Sequence, residues 1–276
     1  MPRLFKALNN FEVSAMENKK HTFSDLIAII NRLRGEGGCP WDMVQTHESL
    51  KTAMIEEAYE AVDAINNSDM KNLCEELGDV LLQVVFHSQI ALEEGEFDIN
   101  DVISTVCEKM ISRHTHIFGS DKADTPEEVI ETWERNKIKE KGYKTHTESI
   151  RSVPKALPAL LRARKVQKRA AEAGLDFKDE KEAVEKFFEE ISEFMEESRK
   201  KNGNINEEFG DLLFSAVNIS RFFKINPEFS LTNSIEKFIN RFEHIENFAL
   251  QKGVEVSGLS GEELNLLWDE AKDSKD

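Results

Sequence analysis

Two acidic motifs of this chain occur twice, in one order and in nearly constant register. Glu56-Glu57-Ala58-Tyr59-Glu60 returns as Glu189-Glu190-Ile191-Ser192-Glu193 at an offset of 133. Glu75-Glu76-Leu77-Gly78-Asp79 returns as Glu207-Glu208-Phe209-Gly210-Asp211 at an offset of 132. A third stretch, Lys109-Met110-Ile111-Ser112-Arg113-His114-Thr115-His116-Ile117, returns as Lys237-Phe238-Ile239-Asn240-Arg241-Phe242-Glu243-His244-Ile245 at an offset of 128. Three segments aligned in order mark a duplication, so the chain has to fold as two copies of one architecture.

That architecture is all-α. With 13 Gly and 6 Pro in 276 residues there is little turn material for a sandwich or barrel, and strand signals are weak throughout. Apolar spacing predicts a helix over Phe23 to Leu33, capped by Ser24 or Asp25, then a loop over Gly35 to Asp42. Further helices are expected from Ser49 to Asn66, Met70 to Glu93 (ended by Gly95), Ile99 to Ile117 and Glu127 to Lys139. In the second half they cover 156–173, 180–200, 206–223, 230–252 and 261–272. The expected layout is an N-terminal extension over 1–22, a helical domain over 23–140, a linker over 141–155 and a second helical domain over 156–276.

In each E-E-x-x-E the second and third acids stand three apart and share a helix face, as do the acids of E-x-x-D. If the two helices of a repeat pack antiparallel, Glu57, Glu60, Glu76 and Asp79 converge, and so do Glu190, Glu193, Glu208 and Asp211. One such motif alone is read most simply as a solvated acidic face. Repetition in register, and the apolar stripe Leu77, Val80, Leu81 beside the first E-x-x-D, favour metal binding instead. An all-oxygen donor set suits a hard cation, magnesium first and manganese second. A di-iron bundle needs Glu-x-x-His pairs, and no histidine here has an acid three residues before it. There is no P-loop and no adjacent His-Asp pair.

The net charge of −17 argues against nucleic acid as a partner. Residues 1–140 carry 14 basic and 27 acidic side chains, and 141–276 carry 22 and 26, so the second half should accept a polyanionic ligand more readily. There Lys186 lies one turn before Glu190, where the first repeat has Ala53. Lys237 and Arg241 stand four apart, as do Lys109 and Arg113, and either pair can grip phosphate or simply be solvated. Trp133 with Lys137 and Trp268 with Lys272 follow the two helix sets at equal spacing; a tryptophan there stacks on a base or fills a core. The basic run Arg162 to Arg169 is read as a solvated face or a contact between subunits, and His114, His116 and His244 as structural. Cys39, Cys74 and Cys107 form neither a zinc pattern nor a disulfide framework, which fits reduced thiols in a cytoplasmic protein. No run is apolar enough for a membrane span or a signal peptide.

The chain resembles the MazG family of all-α nucleoside triphosphate pyrophosphohydrolases from about Phe23 to Lys272. The resemblance rests on Gly38-Cys39-Pro40-Trp41-Asp42, both acid sets, Arg113-His114-Thr115-His116-Ile117-Phe118, and Lys168-Arg169-Ala170-Ala171-Glu172-Ala173-Gly174-Leu175-Asp176-Phe177. It implies two tandem four-helix-bundle-like domains and Mg²⁺-dependent hydrolysis of NTPs and dNTPs to monophosphate and pyrophosphate. It also implies a homodimer that completes its bundles across subunits. The implied metal ligands of the second repeat are Glu190, Glu193, Glu208 and Asp211, with Lys186, Glu189, Lys237, Arg241, Trp268 and Lys272 on the nucleotide. Glu189 is the candidate for water activation, with Glu193 beside it as a catalytic acid. The first repeat matches in Glu57, Glu60, Glu76 and Asp79 but lacks the early lysine. A hydrolase confined to modified or deoxy nucleotides, and a non-catalytic acidic helical adaptor dimer, remain as alternative classes.

Overall fold

The structure, a computed structural model, describes residues 20–200 and 203–273. Residues 1–19, the bulk of the expected extension, lie outside the described residues. Among those described, helices are the only regular elements. They divide between Lys137 and Ile138 into two compact units. No described helix is long and apolar enough to cross a membrane.

In the first unit α1 spans Phe23–Arg34. Its cap is Thr22 rather than the expected Ser24 or Asp25. Thr22 Oγ1 accepts the Asp25 N–H at 3.3 Å while the Asp25 carboxylate accepts the Thr22 N–H at 2.7 Å, a reciprocal box that starts the helix earlier. A four-residue turn, α2 (Pro40–Met43), lies inside the expected loop. Helices α3 (Lys51–Asn66) and α4 (Met70–Glu94) are joined by three residues and pack side by side as an antiparallel hairpin. Asp69 caps α4, and Gly95, at φ 76°, ends it in the left-handed conformation that glycine adopts without strain.

Helices α1 and α5 (Ile99–Arg113) pack on α4. Together they enclose Ile30, Leu50, Val85, Phe86, Ile90 and Ile99. Arg34, nearly buried, forms a two-pronged pair with Glu93 and donates to the carbonyls of Asp42 and Gln45. This ties the Gly-Cys-Pro-Trp-Asp loop to α4. Gly38 of that loop lies so close to the Leu33 carbonyl that a Cβ would collide with it. The helix expected over Ile99 to Ile117 is broken at His114, whose backbone leaves the helical region, and resumes as α6 (Thr115–Phe118). Helix α7 (Pro126–Lys141) follows. Of the stripe expected near a core, Leu77 and Leu81 are exposed and Val80 is half-buried, because α1 and α5 bury residues farther along α4.

In the second unit the segment expected as a linker holds a short helix, α8 (His146–Arg151), capped by Thr145. Tyr143 bonds Ser152 at 2.7 Å, and Arg169 of α9 (Ala159–Glu172) reaches Ser149 and Ser152, so this stretch is folded against α9. The Thr145-x-x-Glu148 capping pattern was its signal in the sequence. Helices α10 (Glu180–Glu197) and α11 (Ile205–Phe222) form a second hairpin, with α11 also lying on α9. Helix α12 (Pro227–Lys252) starts earlier than expected, since Asn226 caps it and Pro227 fits its first position. It packs on α9 and on α13 (Gly261–Asp273), where Ile245, Ala249, Leu259 and Leu267 make the core. Helix α12 leaves Leu231, Ile235, Phe238, Ile239 and Phe242 exposed.

Candidate functional site

The short turn between α3 and α4 sets the two helices level, so that the i, i+3 acids of each face the other. Glu57, Glu76 and Asp79 present oxygens that all lie within 4.8 Å of one another. Glu60 is felt there electrostatically, through its charge beside Glu76 and Glu57. Glu76 is 8 % exposed. Burial first, then the charge of Glu60, pushes its carboxyl above the ordinary range. Glu57 is pushed up in the same way, by burial and then by Asp79 and Glu60. Among the described residues no Lys, Arg or His pairs with any of these four acids.

The second hairpin repeats the arrangement. Glu190, Glu193 and Glu208 bring oxygens within 4.8 Å of one another. Asp211 is felt there electrostatically: Glu208 is pushed up by burial, then by Glu193, Glu197, Asp211 and Glu190. Glu190 is 7 % exposed. One element differs. Lys186 places its ammonium 2.9 Å from Glu189 and 2.9 Å from Glu190, and these bonds push its own pKa up.

The remaining expected nucleotide contacts form a separate group on α12 and α13. Arg241 lies over the Trp268 ring at 5.6 Å, and Phe238 meets the same ring at 5.2 Å. Lys272 pairs with Asp269 at 2.7 Å. Lys237 is exposed and makes no ion pair among the described residues. Helix α12 is not packed extensively on α10 or α11, so this group stands apart from the carboxylates. Its counterpart in the first unit is closed off. Arg113 is 6 % exposed, with its guanidinium 5.1 Å from the Trp133 ring and His114 edge-on to the same ring.

Sequence reasoning passed over two residues. Glu197 continues the face of Glu190 and Glu193 by one turn, a spacing that was readable, and its place in the first repeat is Ala64. Phe238, which packs on Trp268, had no signal beyond helical spacing.

An all-oxygen set of carboxylates, several of them buried or pushed up by their neighbours, is chemically suited to a hard divalent cation. Comparison with known proteins gives the chain's relatives. The family model described as the MazG nucleotide pyrophosphohydrolase domain matches residues 45–118 and 178–246, one match on each repeat. The nucleoside triphosphate pyrophosphohydrolase/pyrophosphatase MazG of Thermotoga maritima is 45 % identical over 250 residues, covering 91 % of this chain and 95 % of that protein. The nucleoside triphosphate pyrophosphohydrolase of Escherichia coli K12 is 40 % identical over 251 residues, covering 90 % and 95 %. The uncharacterized protein YabN of Bacillus subtilis is 47 % identical over 257 residues, 92 % of this chain and 52 % of that longer one. The chain belongs to the MazG nucleotide pyrophosphohydrolase family.

Proposed function

We propose that the chain hydrolyses nucleoside triphosphates, ribo and deoxy, to the monophosphate and pyrophosphate, using magnesium held by Glu190, Glu193, Glu208 and Asp211. The observation that carries this reading is the convergence of the Glu190, Glu193 and Glu208 oxygens within 4.8 Å, with no softer donor in that group among the described residues. Relatives of nearly the same length carry the pyrophosphohydrolase name, which supports attack at the α-phosphorus. When bound, the cation supplies positive charge to phosphate oxygens and acidity to water. Manganese fits the same oxygens.

The protein's own groups do the rest. Glu189, one residue before the ligand Glu190, accepts a proton from the attacking water. The water oxygen bonds to the α-phosphorus as the bond to the bridging oxygen breaks, and pyrophosphate leaves with the electron pair. Lys186, Lys237 and Arg241 donate charge-assisted hydrogen bonds to the departing oxygens. Trp268 offers its face to the base, and Lys272 closes on the nucleotide. Glu57, Glu60, Glu76 and Asp79 hold a cation in the first repeat.

A homodimer is part of the proposal. Leu231, Ile235, Phe238, Ile239 and Phe242 stay exposed along the stretch of α12 that carries Lys237 and Arg241. Exposed apolar surface of that extent favours a second copy, and a second α12 would complete the bundle around each carboxylate hairpin. Incubating the protein with ATP and Mg²⁺ tests the chemistry: AMP plus pyrophosphate is expected, and ADP plus phosphate refutes it. Sedimentation tests the dimer.

A further inference from the structure

We propose that Lys186 is a resident counter-ion of the second carboxylate site. It makes cation binding there depend on an arriving polyphosphate, whereas the first site, with Ala53 in its place, takes a divalent cation without nucleotide. The inference rests on the functional reading above and deepens it.

The geometry is specific. Lys186 holds Glu190 and Glu189 at 2.9 Å each, and Glu190 is also one of the three acids whose oxygens converge. A cation placed among those oxygens lies within a few ångströms of the ammonium, close enough for strong like-charge repulsion. Water is a poor substitute for two carboxylates, so the lysine stays while the site is without nucleotide. A triphosphate offers it equivalent anionic oxygens. Its four-carbon stem lets the ammonium swing to them, releasing Glu190 for the cation and Glu189 for the water. By linkage, nucleotide and cation then raise each other's affinity by one and the same factor.

The first site lacks this device. Glu76 is more than nine-tenths buried and faces Glu57, Glu60 and Asp79 with no cationic partner among the described residues. A buried carboxylate in that setting is stabilised by a cation from solution. So one repeat is a standing cation site, and the other fills tightly only with substrate.

Mn²⁺ titrated into the full chain without nucleotide, followed by electron paramagnetic resonance, decides the matter. Wild type is expected to show a tight class, lost in Glu76→Gln, and a weak class. Lys186→Met, which keeps the stem and removes the charge, should tighten the weak class about tenfold. Ala53→Lys should weaken the tight class by a similar factor, and a non-hydrolysable NTP analogue should tighten the weak class of wild type. An unchanged or weakened weak class in Lys186→Met overturns the proposal, as does an unchanged tight class in a folded Ala53→Lys. Circular dichroism and a melt check folding, and Lys186→Met tests the idea alone if Ala53→Lys does not fold. Wild type that makes no AMP and pyrophosphate would refute the functional reading, while the Mn²⁺ titration would still judge the counter-ion.

Discussion

The two carboxylate hairpins agree in what they gather and differ in what neutralises it. Each brings three acids together within 4.8 Å. Beyond that, the first unit has Ala53, Ala64 and a buried Arg113, where the second has Lys186, Glu197 and the less enclosed Arg241. The carboxylates follow from spacing within two adjacent helices, so any copy of the hairpin reproduces them. The groups proposed to bind phosphate come from neighbouring turns and distant helices, and these differ between the two units. The proposed result is a shared cation chemistry with a one-sided nucleotide chemistry.

The sharpest way to break this comparison is Glu193→Gln. Removing one convergent oxygen charge should cut pyrophosphate release at least about a hundredfold. Turnover near wild type would show that the second hairpin is not where hydrolysis occurs. The two arginines come next, because the same sequence position should fail in different ways. Arg113→Ala should cost about 2 kcal/mol of stability, seen as a lower urea midpoint, since it strips a buried guanidinium from Trp133. Arg241→Ala should leave that midpoint within about 0.5 kcal/mol yet lower kcat/KM about tenfold. Equal stability losses in both would erase the distinction. Glu197→Gln makes the second site more like the first and should weaken Mn²⁺ binding in the presence of nucleotide only about threefold, by removal of one nearby charge.

Acidity offers a milder test of both hairpins together. Glu57, Glu76 and Glu208 have folded pKa values raised above the model-peptide 4.5. Without cation, the folded chain therefore keeps protons that the unfolded chain has released, and these groups contribute less to stability as pH rises through that window. A bound dication reverses the penalty only where the carboxyls are ionised. Saturating Mg²⁺ should raise Tm by about 3 °C more at about pH 7.5 than at about pH 5. A calorimetric shift independent of pH would mean that the cation is not held by these acids.

Much of this was legible in the sequence because it is local. The i, i+3 spacing of Glu57 with Glu60 and of Glu190 with Glu193 fixes a helix face, and Gly95 ends α4 as its position predicts. What escaped was decided between elements. Ser24 and Thr22 are equally good caps on paper, and only the reciprocal bond with Asp25 selects Thr22. Lys109 and Arg113 read equally as a phosphate grip or a solvated pair, yet Trp133 covers the arginine through a contact 20 residues away in the chain. Leu77 and Leu81 carry the pattern of a core stripe but face outward, since helix periodicity does not say which helix arrives to cover them. Lys186 was expected on the nucleotide; its i, i+3 and i, i+4 spacing to Glu189 and Glu190 also made the observed pairing readable.

The three-residue turn between α3 and α4 also has a kinetic consequence. Closing so short a loop costs little chain entropy, and contacts this near in sequence form on the fast side of folding. The first carboxylate set is therefore expected to assemble with its hairpin, ahead of the longer-range packing of α1 on α4. Its mutual repulsion has to be borne by a helical pair that has little else to hold it. A divalent cation in the refolding buffer would then act on the barrier itself, speeding the folding of the first unit as well as stabilising its final state.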